Sequence, residues 1–561
     1  MPTEPPTFRL LGERARDCLG ITLVALVLLV VLRPLQDAPF IDDWTYAWSV
    51  QWLLTHGELK ILEWSAHLNV AQVLWGALFC LPFGFSFTAL RASTWVLAVS
   101  CLWALYLQLR ELGVPRRASL VGVATLGLNP IFFLLAHTFM TDIPCLTAMT
   151  WFTWAGMRAL RQQDARYLGA AAVIASAAIA TRAVALALPV AMAATLTIHA
   201  GTWGRKPRHL VIALLPVAFA GLLAWWGHGA MQHFANLEFA YNAPVNRLRY
   251  LREFAIPWLP QMLLFTFTFL GPCLGVALLP LSASTMTRAL RRPVVAIWVM
   301  LIFIELVAWL FGRNYLPLLS PSLTWALNEL GALEPLVLNA RPPSGPVWCS
   351  PTAVFVALGS FAIFLARMVR QRRNGTQALL LWVGLGHFVV MAVLWLQWDR
   401  YAIVMFPVAI VLFVTATEHL RLRVALGTLL LLGAMSAVGL RDHLALNGAL
   451  WRAVDELHAR GVDSRDIDGG YLINGWLHYA HPEHAPRDAA GNPVIYGMTS
   501  AETGRLPYLV SAAPVDGWAV VTTVSYHRWL APSGVIWVLH RPPGGTARGG
   551  AADERSRYAR R

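Results

Sequence analysis

Charge is scarce in this sequence. Only 13% of its 561 residues are Asp, Glu, Lys or Arg, against about 25% in ordinary soluble domains. Lysine is nearly absent: Lys60 and Lys206 stand alone. Neither lies in a Gly-x-x-x-x-Gly-Lys-Ser/Thr context, which excludes a phosphate-cradling nucleotide loop of that kind. Six cysteines are scattered, mostly inside apolar runs, and residues 441–561 hold none, so no disulfide framework is implied. No repeat of 20 to 50 residues is evident, which argues against a solenoid or propeller.

What the chain has in plenty is apolar surface. Hydrophobic residues make up 57%, and runs approaching the roughly 20 residues needed to cross about 30 Å of hydrocarbon recur up to about Leu440. The net charge of +14 comes from arginines in short clusters between these runs, the pattern of cytoplasmic loops, and no nucleic-acid partner is expected. Seven clusters, from Arg9/Arg14/Arg16 to Arg421/Arg423, place crossings near 18–36, 87–109, 118–136, 143–160, 167–181, 183–199, 209–227, 258–281, 293–312, 351–370, 377–397, 401–418 and 422–440. The first run lacks a small-residue cleavage site after it and reads as an uncleaved anchor. Residues 69–84 are apolar, but a crossing there breaks the alternation, so they are laid in the interface or as a shallow re-entrant piece.

The expectation is an all-α polytopic membrane protein of about thirteen transmembrane helices with a small C-terminal extracytoplasmic α/β domain. Residues 1–440 form the membrane part, with a first outer loop at 37–86. Residues 441–541 form the outer domain, with a helix at 448–460 and strands at 506–512, 517–525 and 534–540. Residues 542–561 form a Gly/Arg-rich disordered tail. The odd count puts the N-terminus in the cytoplasm and the C-terminal domain outside, in the cell (inner or plasma) membrane of what the composition suggests is a bacterium.

The stretch Asp37-Ala-Pro-Phe-Ile-Asp-Asp-Trp-Thr-Tyr46 then needs explaining, because a carboxylate at a membrane edge is costly unless something pairs with it. Asp42 and Asp43 begin a helix, and Asp142 opens another in Met-Thr-Asp-Ile-Pro144; capping is the plain explanation for each. By the topology all three emerge on one face. Trp44, Trp48 and Trp52 fall at i, i+4 and i+8, a stripe suited to a helix lying at headgroup level. Of the outward cations, Arg400 and Arg182 stand at helix ends with little to neutralise them, and a guanidinium suits phosphate; snorkelling to lipid headgroups is the alternative. Arg247, Arg249 and Arg252 read as headgroup fasteners of the 228–257 loop. His481 and His484, in a loop without nearby cysteines, read as solvent-facing side chains and not as zinc ligands.

The acidic pair followed by an aromatic (DDWTY), His67 before a semi-apolar segment, Leu90-Arg91, Asn129-Pro130, the Asp142 turn and Asp399-Arg-Tyr-Ala-Ile-Val-Met-Phe-Pro407 together resemble the GT-C membrane glycosyltransferases. The branch is that of protein O-mannosyltransferases, lipid A aminoarabinose transferases and lipopolysaccharide-core galacturonosyl transferases. The resemblance implies a polyprenyl-phosphate sugar donor, a lipid, glycan or protein acceptor at the outer face, and a base from the first outer loop. Asp42 is favoured as that base, Asp43 as its orienter or cap, and Asp142 as a positioning group or as ligand of a divalent cation if one is used. Arg400, Arg182 and His67 are assigned to the donor phosphate, although His67 is followed by Leu-Asn where the family has Pro-Pro. Tyr46, Trp44 and Tyr401 are assigned to the substrate pocket. Two other classes compete: a transporter or lipid flippase, which calls for ionisable groups at the bilayer midplane, and an assembly scaffold, which leaves the three acids without a role.

Overall fold

A computed structural model describes residues 6–65, 68–232, 252–253, 256–285, 291–311, 349–370, 375–393, 399–495, 504–529 and 533–542. The loops predicted at 228–257 and 313–350, the residues Arg247 and Arg249, His67 and the tail beyond Pro542 lie wholly or largely outside the described residues.

The chain is a multi-pass membrane protein. Six helices among the described residues are long and apolar enough to cross a bilayer: Gly12–Leu32, Phe87–Glu111, Pro207–Gly227, Leu259–Thr285, Gly375–Val393 and Leu422–Ala459. Shorter apolar helices accompany them, including Val70–Cys80, Ala165–Ile179 and Phe355–Val369. At 11 residues, Val70–Cys80 is about 16 Å long, too short to cross. The first helix is the outlier: only 6% of its apolar window is buried, so it stands against the body with its leucines and valines facing outward. Inside the body, close approach is made by small residues. Gly275 packs so tightly against the backbone of Ala357 that any Cβ would collide with it, which is how membrane helices come together without a hydrophobic driving force.

Two expected crossings differ in form. The segment 118–136 is broken into Arg116–Gly127 and Pro130–Leu135, because Asn129 Oδ1 accepts from the amides of Ile131 (3.0 Å) and Phe132 (3.3 Å) and starts a new helix at Pro130. At the other end of the chain, Leu422–Ala459 is one helix of 38 residues, about 57 Å long. It runs through the position 440/441 where the sequence suggests a domain boundary, and absorbs the helix expected at 448–460.

Beyond it lies a four-stranded sheet in the order Ile467–Asp468, Tyr508–Ser511, Gly534–His540, Ala519–Tyr526. The first pair is parallel and the others antiparallel. Alternation of the last strand aims Ile536 and Val538 into the core. That core is not the domain's own. Trp44, Trp48 and Leu62 of the first loop are buried in it beside Leu450, Ile467, Leu472 and Val538. The tryptophan stripe therefore faces this domain and not the headgroups: Trp44 is 0% and Trp48 4% exposed, because a protein core a few ångströms away buries an indole more completely than the interface does.

Candidate active site

The three aspartates of the first loop have three different environments. Asp37 Oδ1 accepts from the amides of Phe87 (2.7 Å) and Thr88 (3.3 Å), satisfying the free N–H groups at the start of Phe87–Glu111. Asp43 is fully buried against Arg91, which is itself 1% exposed; Nη2 donates to Asp43 Oδ2 at 2.9 Å. The same guanidinium holds the carbonyls of Gln36 and Ala38, and Phe40 N donates to Asp43 Oδ1 at 2.6 Å. Burial pushes the Asp43 carboxyl up and Arg91 pulls it back. Arg91 is thus the clasp of the loop, a role that its Leu-Arg motif did not disclose.

Asp42 points elsewhere, since neighbours on a helix diverge by about 100°. It occupies the N-cap position of Asp43–His56 but makes no side-chain cap bond, so the capping explanation does not account for it. Its Oδ2 accepts from Arg400 Nη1 at 3.0 Å and its Oδ1 from the Tyr471 hydroxyl at 2.9 Å. The side chain keeps 23% of its surface open. Just before it, Ile41 has φ +57°, a left-handed conformation that a β-branched residue rarely adopts and that marks stored strain.

Asp142 is the first residue of Asp142–Gln162; the cap position belongs to Thr141, which makes no side-chain bond. Asp142 Oδ1 accepts from Arg182 Nη1, while its Oδ2 is buried without a protein partner, a costly state for a carboxylate oxygen. Arg182 sits in the turn between Ala165–Ile179 and Ala187–His199. The two acid–arginine pairs meet at one ring: Arg182 lies 4.7 Å and Arg400 5.3 Å from the Tyr401 centroid. His387 Nε2 stands 3.3 Å from the Tyr401 carbonyl. The Tyr46 phenol feels all four charges, and burial pushes its ionisation up.

The structure therefore brings together Asp42, Asp142, Arg182, Arg400, Tyr46 and Tyr401. Trp44 lies apart from them, its ring enclosed by Trp64, Tyr471 and Tyr479 with Gly475 packed on its face. His67 is outside the described residues. Among the described residues no group of three or more His, Cys, Asp and Glu side chains is arranged to hold a metal ion. Tyr471 is an addition that no motif signalled, lying 429 positions from Asp42. A cavity of about 460 Å³ lies elsewhere, between the first helix and the segments 95–102 and 116–137, and is mostly apolar.

A family model described as Dolichyl-phosphate-mannose-protein mannosyltransferase matches residues 73–225, a span that includes Arg91, Asp142 and Arg182. No curated protein matches. Among solved structures, ArnT from Cupriavidus metallidurans bound to undecaprenyl phosphate is similar at 14% identity over 94% of this chain and 98% of that one, with a TM-score of 0.41. The Archaeoglobus fulgidus oligosaccharyltransferase in complex with zinc and sulfate is similar at 13% identity over 88% of this chain and 67% of its own, with a TM-score of 0.45.

Proposed function

We infer that this membrane protein is a glycosyltransferase of the GT-C superfamily, moving a sugar from a polyprenyl-phosphate donor to a lipid, glycan or protein acceptor at the outer face of the cell membrane. The observation that carries the reading is the meeting of Asp42 and Asp142, each held by its own arginine, around Tyr401. The match of residues 73–225 to a family named for a dolichyl-phosphate-mannose donor supports the same class. In this reading the N-terminus is cytoplasmic and the C-terminal domain is outside.

The chemistry follows from what each group can do. Asp42, partly open, takes the proton of the acceptor hydroxyl as its oxygen forms a bond to the anomeric carbon. The bond from that carbon to the phosphate oxygen breaks on the opposite side, inverting the centre, and the electron pair leaves with polyprenyl phosphate. Arg400 and Arg182 supply positive charge where that phosphate gains negative charge. Asp142, with one oxygen on Arg182 and the other unpartnered, accepts a hydroxyl of donor or acceptor. A divalent cation, if the enzyme uses one, has Asp142 Oδ2 as its available carboxylate oxygen. Asp43 and Arg91 hold the loop and stay out of the reaction.

The experiment is transfer by the purified full-length protein in proteoliposomes. A panel of radiolabelled undecaprenyl-phosphate monosaccharides serves as donors and bacterial envelope extract as the source of acceptors. Release of undecaprenyl phosphate from at least one donor is expected, and Asp42→Asn should lower it by about two orders of magnitude or more. Absence of release from every donor would refute the reading.

A further inference from the structure

We propose that Tyr471, contributed by the C-terminal domain, is a positioning residue for Asp42: it fixes the carboxylate's orientation, so that the outer domain is part of the catalytic apparatus. The proposal rests on the reading of Asp42 as the base and adds to it a residue and a domain.

The direction of the hydrogen bonds carries the argument. Trp64 Nε1 stands 2.5 Å from the Tyr471 oxygen, and an indole nitrogen only donates. The phenol oxygen is thus the acceptor on that side, and its own proton is directed to Asp42 Oδ1 at 2.9 Å. With Arg400 on Oδ2 at 3.0 Å, each oxygen of Asp42 has one assigned partner and keeps a lone pair for an incoming proton. Tyr46, one turn further along, feels the charges of Arg400, Asp42, Arg182 and Asp142 together. Burial and the negative charge of Asp42 push the ionisation of the Tyr471 phenol well up, so it stays a donor throughout the working pH range.

The position of Tyr471 is set by packing that involves no substrate. Gly470 has φ +73°, a turn that favours glycine, and it starts the short helix Gly470–Asn474. Next to it, a Cβ on Gly475 would come within 2.5 Å of the Trp44 ring. The backbone therefore lies flat on Trp44, two residues from Asp42, and the Tyr471 ring is wedged between Trp44 (5.9 Å) and Trp64 (5.6 Å). First loop and outer domain form one hydrophobic cluster, so a shift of the domain reaches Asp42 through Tyr471.

The test uses the full-length protein and two readouts. The first is the pair of carboxylate stretching bands of Asp42, isolated as the difference from Asp42→Asn. The second is kcat and KM of sugar release from whichever donor of the panel the wild type uses. Tyr471→Phe keeps the ring and its packing. It should shift the Asp42 bands, because one hydrogen bond to the carboxylate is lost, and lower kcat by about tenfold while changing KM little. Trp64→Phe should give a smaller shift in the same direction. Unmoved bands in Tyr471→Phe, with thermal stability retained or lost, would overturn the proposal. Shifted bands in a protein whose wild type releases sugar from no donor would uphold the hold of Tyr471 on Asp42 and defeat only the transferase reading.

Discussion

The two ends of the helix Phe87–Glu111 both carry acid–arginine clusters, and they are built on opposite principles. Near Glu111, Asp17 accepts from Arg116 Nε at 3.0 and 2.9 Å through its two oxygens, from Arg116 Nη2 at 2.5 Å, and from the Tyr106 hydroxyl. Glu13, Arg14, Arg110 and Arg161 add further pairs around it. The carboxylate is 4% exposed and saturated, which fastens the poorly packed first helix to the body. Near Phe87, Asp42 keeps one side open and Asp142 keeps one oxygen without a partner. Saturated charge is structure. Charge left incomplete at a cost in stability signals a site kept for something absent from the folded chain alone.

The contrast is broken most forcefully by exchanging the fates of the two ends. Asp42→Asn is expected to lower turnover by about two orders of magnitude or more while thermal unfolding changes little. Asp17→Asn should lower stability and leave the turnover of the folded fraction near wild type, as read by scanning calorimetry beside the release assay. Next in size is Arg91→Ala, which leaves Asp43 buried and unpaired and should cost about 3–5 kcal/mol, seen as loss of folded protein in detergent. Asp142→Asn should reduce kcat by about tenfold or more and also lower stability, since it leaves the buried Arg182 without its counter-charge; a denaturation series beside the release assay checks both signs. Tyr106→Phe, losing one hydrogen bond at the saturated end, should cost about 1 kcal/mol and no activity.

A pH effect belongs to the C-terminal domain. Burial lowers the pKa of His478, whose Nε2 sits 2.8 Å from the Ser464 carbonyl. The unfolded chain then binds the proton more readily, so stability is full above the ordinary histidine value of 6.5 and declines as pH falls below it. Protease sensitivity of the domain should rise between about pH 6.5 and 5, and His478→Gln should flatten that rise.

Local pattern explains what could be read from the sequence. Alternation over 506–512, 517–525 and 534–540 overlaps the strands at 508–511, 519–526 and 534–540, because side chains on a half-buried strand report their face every second residue. The polar triplet Arg441-Asp442-His443 marks where the sequence reading starts the outer domain, but it lies inside a continuous helix, where Asp442 and His443 are buried; Asp442 Oδ1 accepts from Trp529 N at 2.7 Å. The stripe Trp44, Trp48, Trp52 has the helical spacing expected of it, yet its partner is a domain some 400 residues later, which no local window contains. Asp42 and Asp43 are adjacent, and the sequence orders them only as favoured base and as orienter or cap. They separate only in three dimensions, where Arg91 claims one and Arg400 with Tyr471 claims the other.

The most direct measurement is undecaprenyl phosphate release by wild type, Asp42→Asn, Asp43→Asn and Asp17→Asn, each normalised to folded protein. Release by wild type and by the folded fractions of Asp43→Asn and Asp17→Asn, with loss of about a hundredfold or more in Asp42→Asn alone, is the expected result. Equal release by Asp42→Asn and wild type would contradict the account.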